Sequence, residues 1–129
     1  MITHVLDTSA LLAHYLEEPG MDEVGRLLSG HPGEIGLCFV SWLELETRLR
    51  EVTGNSAEAE RAFRLYTDVL TTPLALGEAE ARAAIRRLPL ADSLIAGCAV
   101  AADATLVHRD PHFAAIPAKL LKQLVLPGK

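Results

Sequence analysis

Apolar positions fall into two alternating kinds of run. Short, nearly continuous stretches at residues 2–6, 34–40 and 104–107 read as strands. Two briefer candidates lie at 73–76 and 121–126. Between them the apolar spacing switches to three and four. Leu11, Leu12, Tyr15 and Leu16 follow Asp7-Thr8-Ser9, any of which suits a helix N-cap, and Pro19-Gly20 closes that segment. A second short helix is expected over residues 21–28. Ser41 is the expected cap of a third, whose stripe carries Trp42, Leu45, Leu49 and Val52 and which stops at Gly54-Asn55. A longer helix is expected from Ser56 to about Leu70, with Ala59, Phe63, Tyr66 and Leu70 inward and Glu60–Arg64 as a helical pair. Residues 77–87 read as another, broken before Pro89. A last helix starts at Ala91 or Asp92 and runs to Ala102.

Strands separated by helices need crossover connections, so the pattern predicts an α/β fold: a parallel sheet flanked by helices on both faces. The strand candidates are apolar throughout rather than alternating, as expected of strands covered on both sides. A length of 129 residues suits one domain over residues 1–129, and 50% hydrophobic residues with mean hydropathy +0.22 give ample core material.

Charge narrows the field. Seventeen acidic against twelve basic side chains leave a net charge of −5, which excludes nucleic-acid binding by bulk positive charge alone. It leaves room for a protein that meets phosphates through bound cations. Cys38 and Cys98 form no CxxC pair, so zinc-ribbon and thioredoxin-like sites are excluded, and two buried thiols in a reducing compartment are expected. The N-terminus lacks a basic, apolar leader and no 18-residue apolar run appears, which predicts a cytoplasmic protein that does not enter membranes.

Open parallel sheets bind ligands outside the carboxyl ends of their strands. That edge is where the sequence delivers its acids. Asp7 ends the first strand, Glu44 sits in the first turn after the second, and Asp110 follows the strand at 104–107. Asp92 opens a helix whose N-terminus belongs to the same edge. Each has a plain structural alternative: Asp7 and Asp92 as N-caps, Glu44 as a partner of Arg48, Asp110 with Pro111 as a turn. Four separate caps have no reason to share an edge, however. Two unit charges about 4 Å apart repel by roughly 4 kcal/mol at an effective dielectric of 20, so such a cluster makes sense around a hard cation. Carboxylate oxygens favour Mg²⁺ or Mn²⁺ over zinc. Thr8 and Ser9 read first as caps, with a phosphate or a metal's water as the alternative partner of their hydroxyls. Arg82, Arg86 and Arg87 form a basic stretch expected on one helix, and Arg109 is the one basic residue near the acids in sequence. Glu46 lies roughly 200° around the helix from Glu44.

Four segments carry a resemblance. Leu6-Asp7-Thr8-Ser9-Ala10-Leu11-Leu12, Ser41-Trp42-Leu43-Glu44-Leu45, Leu90-Ala91-Asp92-Ser93-Leu94-Ile95-Ala96 and Leu106-Val107-His108-Arg109-Asp110-Pro111-His112-Phe113 are similar, in order and spacing, to the acidic motifs of PIN-domain nucleases. At this length the chain most resembles a VapC-type toxin, the ribonuclease of a toxin–antitoxin pair. The resemblance implies a metal-dependent endoribonuclease with Asp7, Glu44, Asp92 and Asp110 as catalytic and metal-holding residues. It also implies Mg²⁺ (or Mn²⁺) as cofactor, RNA as substrate, a cognate antitoxin as partner and a homodimer. Two positions depart from the pattern. His108 stands where the family usually has threonine, and His112 where a further acid often precedes the phenylalanine. His108 is expected either to replace a hydroxyl that bonds a carboxylate or metal water, or to bring an imidazole that favours Mn²⁺.

Two other readings compete. A PIN-like binding module with a dead site would not need all four acids. A phospho-receiver signalling domain would want paired acids after the first strand, an Asp ending residues 37–40 and a lysine after Val107, none of which is present. His108-Arg109-Asp110 spells a kinase tripeptide, but no glycine-rich loop accompanies it.

Overall fold

A computed structural model describes residues 1–128. Five strands form one parallel sheet: β1 (His4–Leu6), β2 (Ile35–Cys38), β3 (Thr72–Leu74), β4 (Thr105–His108) and β5 (Gln123–Val125), in the order β3-β2-β1-β4-β5. Around it lie α1 (Thr8–Tyr15), α2 (Met21–Gly30), α3 (Phe39–Thr53), α4 (Ser56–Arg64), α5 (Glu78–Ala83), α6 (Leu90–Ala101) and the single turn α7 (Pro111–Ala114). This strand order differs from the 2-1-3-4-5 of receiver-type folds, which removes the signalling alternative on topology.

The two-residue period of a strand divides the core between the two faces of the sheet. Leu6, Leu37 and Val107 meet α1, α2, α3 and α4 through Leu11, Val24, Leu45, Leu49 and Phe63. Val5, Cys38 and Leu106 meet α6 and the α7 segment through Ile95, Cys98, Phe113 and Ile116. Leu6 is fully buried, so truncating it to alanine should cost about 2–5 kcal/mol. Cys38 and Cys98 are buried, unbonded thiols with Sγ atoms 2.9 Å apart, bringing the foot of α3 against α6. The backbone of α5 approaches α6 closely at Gly97, where a Cβ would lie 2.4 Å from the Glu80 carbonyl oxygen. Glycine is required there by space, and the contact fixes the helix that carries Asp92.

Several boundaries differ from expectation. The second strand ends at Cys38, and Phe39 and Val40 open α3 instead of extending β2. An apolar run cannot by itself distinguish a buried strand end from the first turn of a packed helix. Ser41 is consequently inside α3, fully buried, with a hydroxyl that has no hydrogen-bond partner among the described residues; the N-cap is Cys38, without a side-chain bond. Val52 is 38% exposed and falls off the inward stripe. α4 does begin at Ser56 as expected, with Asn55 as its cap accepting the Glu58 N–H at 3.0 Å. The expected helix to Leu70 turns π-helical over Leu65–Leu70, and Thr71 N–H closes it onto the Tyr66 carbonyl. α5 stops at Ala83, where Ala84 turns extended against Gly97. Arg86 and Arg87 therefore do not share a helix with Arg82, which pairs with Glu78 at 2.6 Å. α6 starts at Leu90 with Pro89 as N-cap, so Asp92 lies in the first turn and is not a cap.

Candidate active site

The chain runs from β1 outward to β2 and β3, then crosses back to place β4 on the other side of β1. The sheet therefore reverses direction between β1 and β4, and a crevice opens at their carboxyl ends. An aspartate follows each strand there, Asp7 directly after β1 and Asp110 two residues after β4. A cleft of about 560 Å³ occupies the position, lined by Asp7, Thr8, Ser9, Glu44, Asp92 and Asp110, with Thr47 and Arg48 among its other walls. All four acids proposed from sequence thus meet in one cleft.

Asp7 is 5% exposed. It caps α1, accepting the Ser9 N–H at 3.2 Å, and its Oδ2 also takes the Ser9 hydroxyl at 2.6 Å. Ser9 Oγ in turn accepts the Arg109 N–H at 3.2 Å, joining the β1–α1 turn to the loop after β4. Thr8 donates its hydroxyl to Glu44 Oε1 at 3.1 Å. Neither Thr8 nor Ser9 is a cap: their hydroxyls hold carboxylates. Glu44 is not paired with Arg48, which bonds Glu51 at 3.2 Å. Glu46 points out of the cleft to Arg50 at 2.9 Å. Asp110 caps α7, accepting the His112 N–H at 2.8 Å, with Pro111 at the first helical position. His112 places Nδ1 3.2 Å from Asp110 Oδ1 and 3.6 Å from Asp92 Oδ2.

His108 does neither thing expected of it. Its ring is fully buried beneath the site and packs on Phe113 at a centroid distance of 5.0 Å. The Gln123 amide nitrogen donates to the Ile116 carbonyl at 2.9 Å, leaving Oε1 to accept from His108 Nε2 at 2.7 Å. His108 Nδ1 is then the acceptor for the Asp110 N–H at 3.0 Å. One neutral tautomer satisfies the whole chain of bonds and holds the backbone of Asp110 in place. Arg109 is not a counter-ion for the acids; it is drawn away to Glu18, 91 positions earlier.

Burial and mutual repulsion act on the acids together. Burial pushes the Asp7 carboxyl up, with Asp110 adding repulsion against the relief its Ser9 bonds provide. Burial likewise raises Glu44, with Asp7 and Asp92 adding to it, and raises Asp92, with Asp110 and Asp7 adding to it. Among the described residues no lysine or arginine forms an ion pair with any of the four. Asp92, Asp110 and His112 offer ligand atoms within 4.8 Å of one another. Arg48 relieves Glu44 and His112 relieves Asp92 only in part, and hard oxygen donors left with net negative charge fit a divalent cation.

Sequence reasoning overlooked Thr47 as part of this cleft, and it marked His112 as a departure from the family pattern without placing it beside Asp92. Thr47 follows Glu44 by one helical turn, a signal that was present in the spacing. Nothing in the sequence announced that His112 would face Asp92, twenty positions earlier.

Known proteins agree with this architecture. The chain of a *Rickettsia felis* VapBC2 structure bound to a promoter DNA fragment superposes with a TM-score of 0.77 at 16% identity, covering 98% of this chain and 100% of that one. A VapBC-1 chain from nontypeable *Haemophilus influenzae* gives 0.72 at 19% identity, covering 97% and 98%. *Mycobacterium tuberculosis* VapC20, described as a sarcin–ricin loop cleaving toxin, gives 0.66 at 14% identity, covering 88% and 94%. At such identities the likeness establishes the fold. No curated protein matches the chain in sequence. The sequence profile of the PIN domain, however, matches residues 4–119, and the chain belongs to the PIN domain family.

Proposed function

We propose that the chain is a metal-dependent endoribonuclease and the toxin of a toxin–antitoxin pair, acting in the cytoplasm as a homodimer. The observation that carries this is the convergence of Asp7, Glu44, Asp92 and Asp110 in one cleft with no lysine or arginine ion pair to any of them among the described residues. Family membership and the VapBC neighbours support it. The four acids would hold Mg²⁺ or Mn²⁺, which supplies a Lewis acid for the phosphodiester and lowers the pKa of the attacking water. The chain's own residues supply position. Ser9 and Thr8 hold the carboxylates of Asp7 and Glu44 by hydroxyl bonds, so these do not reorganise when RNA arrives. Arg48 at the rim offers a cation to the RNA backbone, and no side-chain nucleophile is needed.

Phe39 and Leu43, one turn apart on α3 and 42% and 57% exposed, supply apolar surface for a second copy. An antitoxin would silence the site by placing an arginine or lysine directly against the acids, where Arg48 lines the cleft but pairs with Glu51 instead. RNA cleavage in vitro tests the reading: it should require Mg²⁺ or Mn²⁺ and stop with EDTA. Cleavage surviving chelation and dialysis overturns it.

A further inference from the structure

We propose that His112 is a nitrogen ligand of the same ion that Asp92 and Asp110 hold, and that it biases the site towards Mn²⁺ over Mg²⁺. This rests on the metal-nuclease reading and deepens it. Around one six-coordinate ion with bonds of about 2.1 Å, adjacent ligand atoms lie about 3.0 Å apart and opposite ones about 4.2 Å. His112 Nδ1 lies 3.2 Å from Asp110 Oδ1 and 3.6 Å from Asp92 Oδ2, and all three ligand atoms fall within 4.8 Å of one another. The two histidine separations fall between the adjacent and the opposite spacing of one coordination shell.

The imidazole also reaches both acids at once. An ion pair alone would need contact with one. His112 is anchored for this by its own backbone, whose N–H donates to Asp110 Oδ1 at 2.8 Å, while its side chain remains 64% exposed and open to the cleft's solvent side. A neutral imidazole is a softer donor than a carboxylate. Mg²⁺ strongly prefers oxygen, whereas first-row transition metals accept imidazole, so a histidine here shifts the balance towards Mn²⁺. His108, the other imidazole nearby, is not available, since both its nitrogens are engaged beneath the site.

The test is Mn²⁺ and Mg²⁺ binding to the full chain, stripped of metal beforehand, in wild type, His112→Ala, His112→Asp and Asp92→Asn. Electron paramagnetic resonance follows free Mn²⁺, and pulsed measurements read nitrogen-14 coupling to the bound ion. Wild type should show imidazole coupling that disappears in His112→Ala. Residues that only support a ligand are worth about 10- to 100-fold in affinity, so losing this ligand should weaken Mn²⁺ by at least about tenfold. His112→Asp should regain binding without nitrogen coupling and with a lower Mn²⁺-to-Mg²⁺ affinity ratio. If His112→Ala keeps the coupling and the affinity while Asp92→Asn loses Mn²⁺, the histidine is only a counter-charge and the inference fails, with the metal site intact. If wild type itself takes up neither ion, the nuclease reading falls first and the inference with it.

Discussion

The two walls of the cleft are built on different principles. On the wall formed by the β1–α1 turn and α3, each acid is matched to a hydroxyl: Asp7 with Ser9, Glu44 with Thr8. Asp7 is deeply buried and doubles as a helix cap, so its position is set by the fold. On the wall formed by α6 and the β4–α7 loop, Asp92 and Asp110 face each other and an exposed imidazole. Their side chains are 19% and 24% exposed and have no serine or threonine hydroxyl bonding them. The first wall is finished before any ligand arrives. On the metal-nuclease reading proposed above, the second would be completed by what binds. A site divided in this way obtains precision from one side and adjustability from the other.

The largest effect should come from removing charge on either wall. Asp7→Asn and Asp92→Asn should each cut RNA cleavage by about 10²-fold or more, the scale of losing one preorganised electrostatic contact, and Glu46→Gln should leave it nearly unchanged. Circular dichroism alongside the cleavage assay separates this from misfolding. Loss of activity on one wall only would break the idea that both grip the same reacting group.

Stability should then distinguish the walls. Asp7→Ala removes the α1 cap and strands the Ser9 hydroxyl, and denaturant unfolding should show a loss of about 1–2 kcal/mol. Asp92→Asn should move the other way in EDTA. Asp92 is not a cap, and burial with repulsion from Asp110 and Asp7 outweighs what it gains from His112 and from the α6 N-terminus, so the melting temperature should rise. Saturating Mg²⁺ or Mn²⁺ should stabilise wild type, by about 2.7 kcal/mol at a hundred times the dissociation constant, and Asp92→Asn less. A mutant less stable than wild type in EDTA that gains as much from metal would mean that Asp92 takes no part in a shared site.

The pH dependence should be the smallest effect. Asp7, Glu44 and Asp92 all have folded-state pKa values raised above the ordinary carboxylate range. The folded protein therefore holds more protons than the unfolded chain between about pH 4 and those raised values. The stability this gives is complete below the unfolded pKa and is lost as pH rises through the folded ones. Burial holds His4 and His14 below the ordinary imidazole value and pulls the other way as pH rises towards about 6.5. The carboxylate part is therefore read as a difference: as pH rises through the carboxylate range, metal-free Asp92→Asn should lose less melting temperature than wild type. A steeper slope in the mutant would place the burden on the buried wall alone.

Much of this was legible beforehand, for identifiable reasons. The sheet and its central strands follow from apolar runs punctuated by helix periods, and Asp7 and Asp110 follow from the rule that ligands bind at strand ends. What escaped depended on contacts between distant parts of the chain. Arg109 looks like a neighbour of the acids until Glu18 captures it. Phe39 and Val40 look like strand until packing turns them into helix. His108 looks like a replacement for a hydroxyl in the site until a glutamine fifteen positions later claims its ring. Local pattern carries the elements, but the choice of partner for a polar side chain is decided in three dimensions.

That last contact constrains how the sequence can vary. His108 is useful only because Gln123 on the neighbouring strand accepts its proton and passes the order on to the Ile116 carbonyl. Replace the histidine by the threonine more usual in the family, and the glutamine loses its reason; replace the glutamine by an aliphatic residue, and a buried imidazole nitrogen is stranded. Across chains built on this plan, residues 108 and 123 should therefore change together, with histidine and glutamine inherited as a pair.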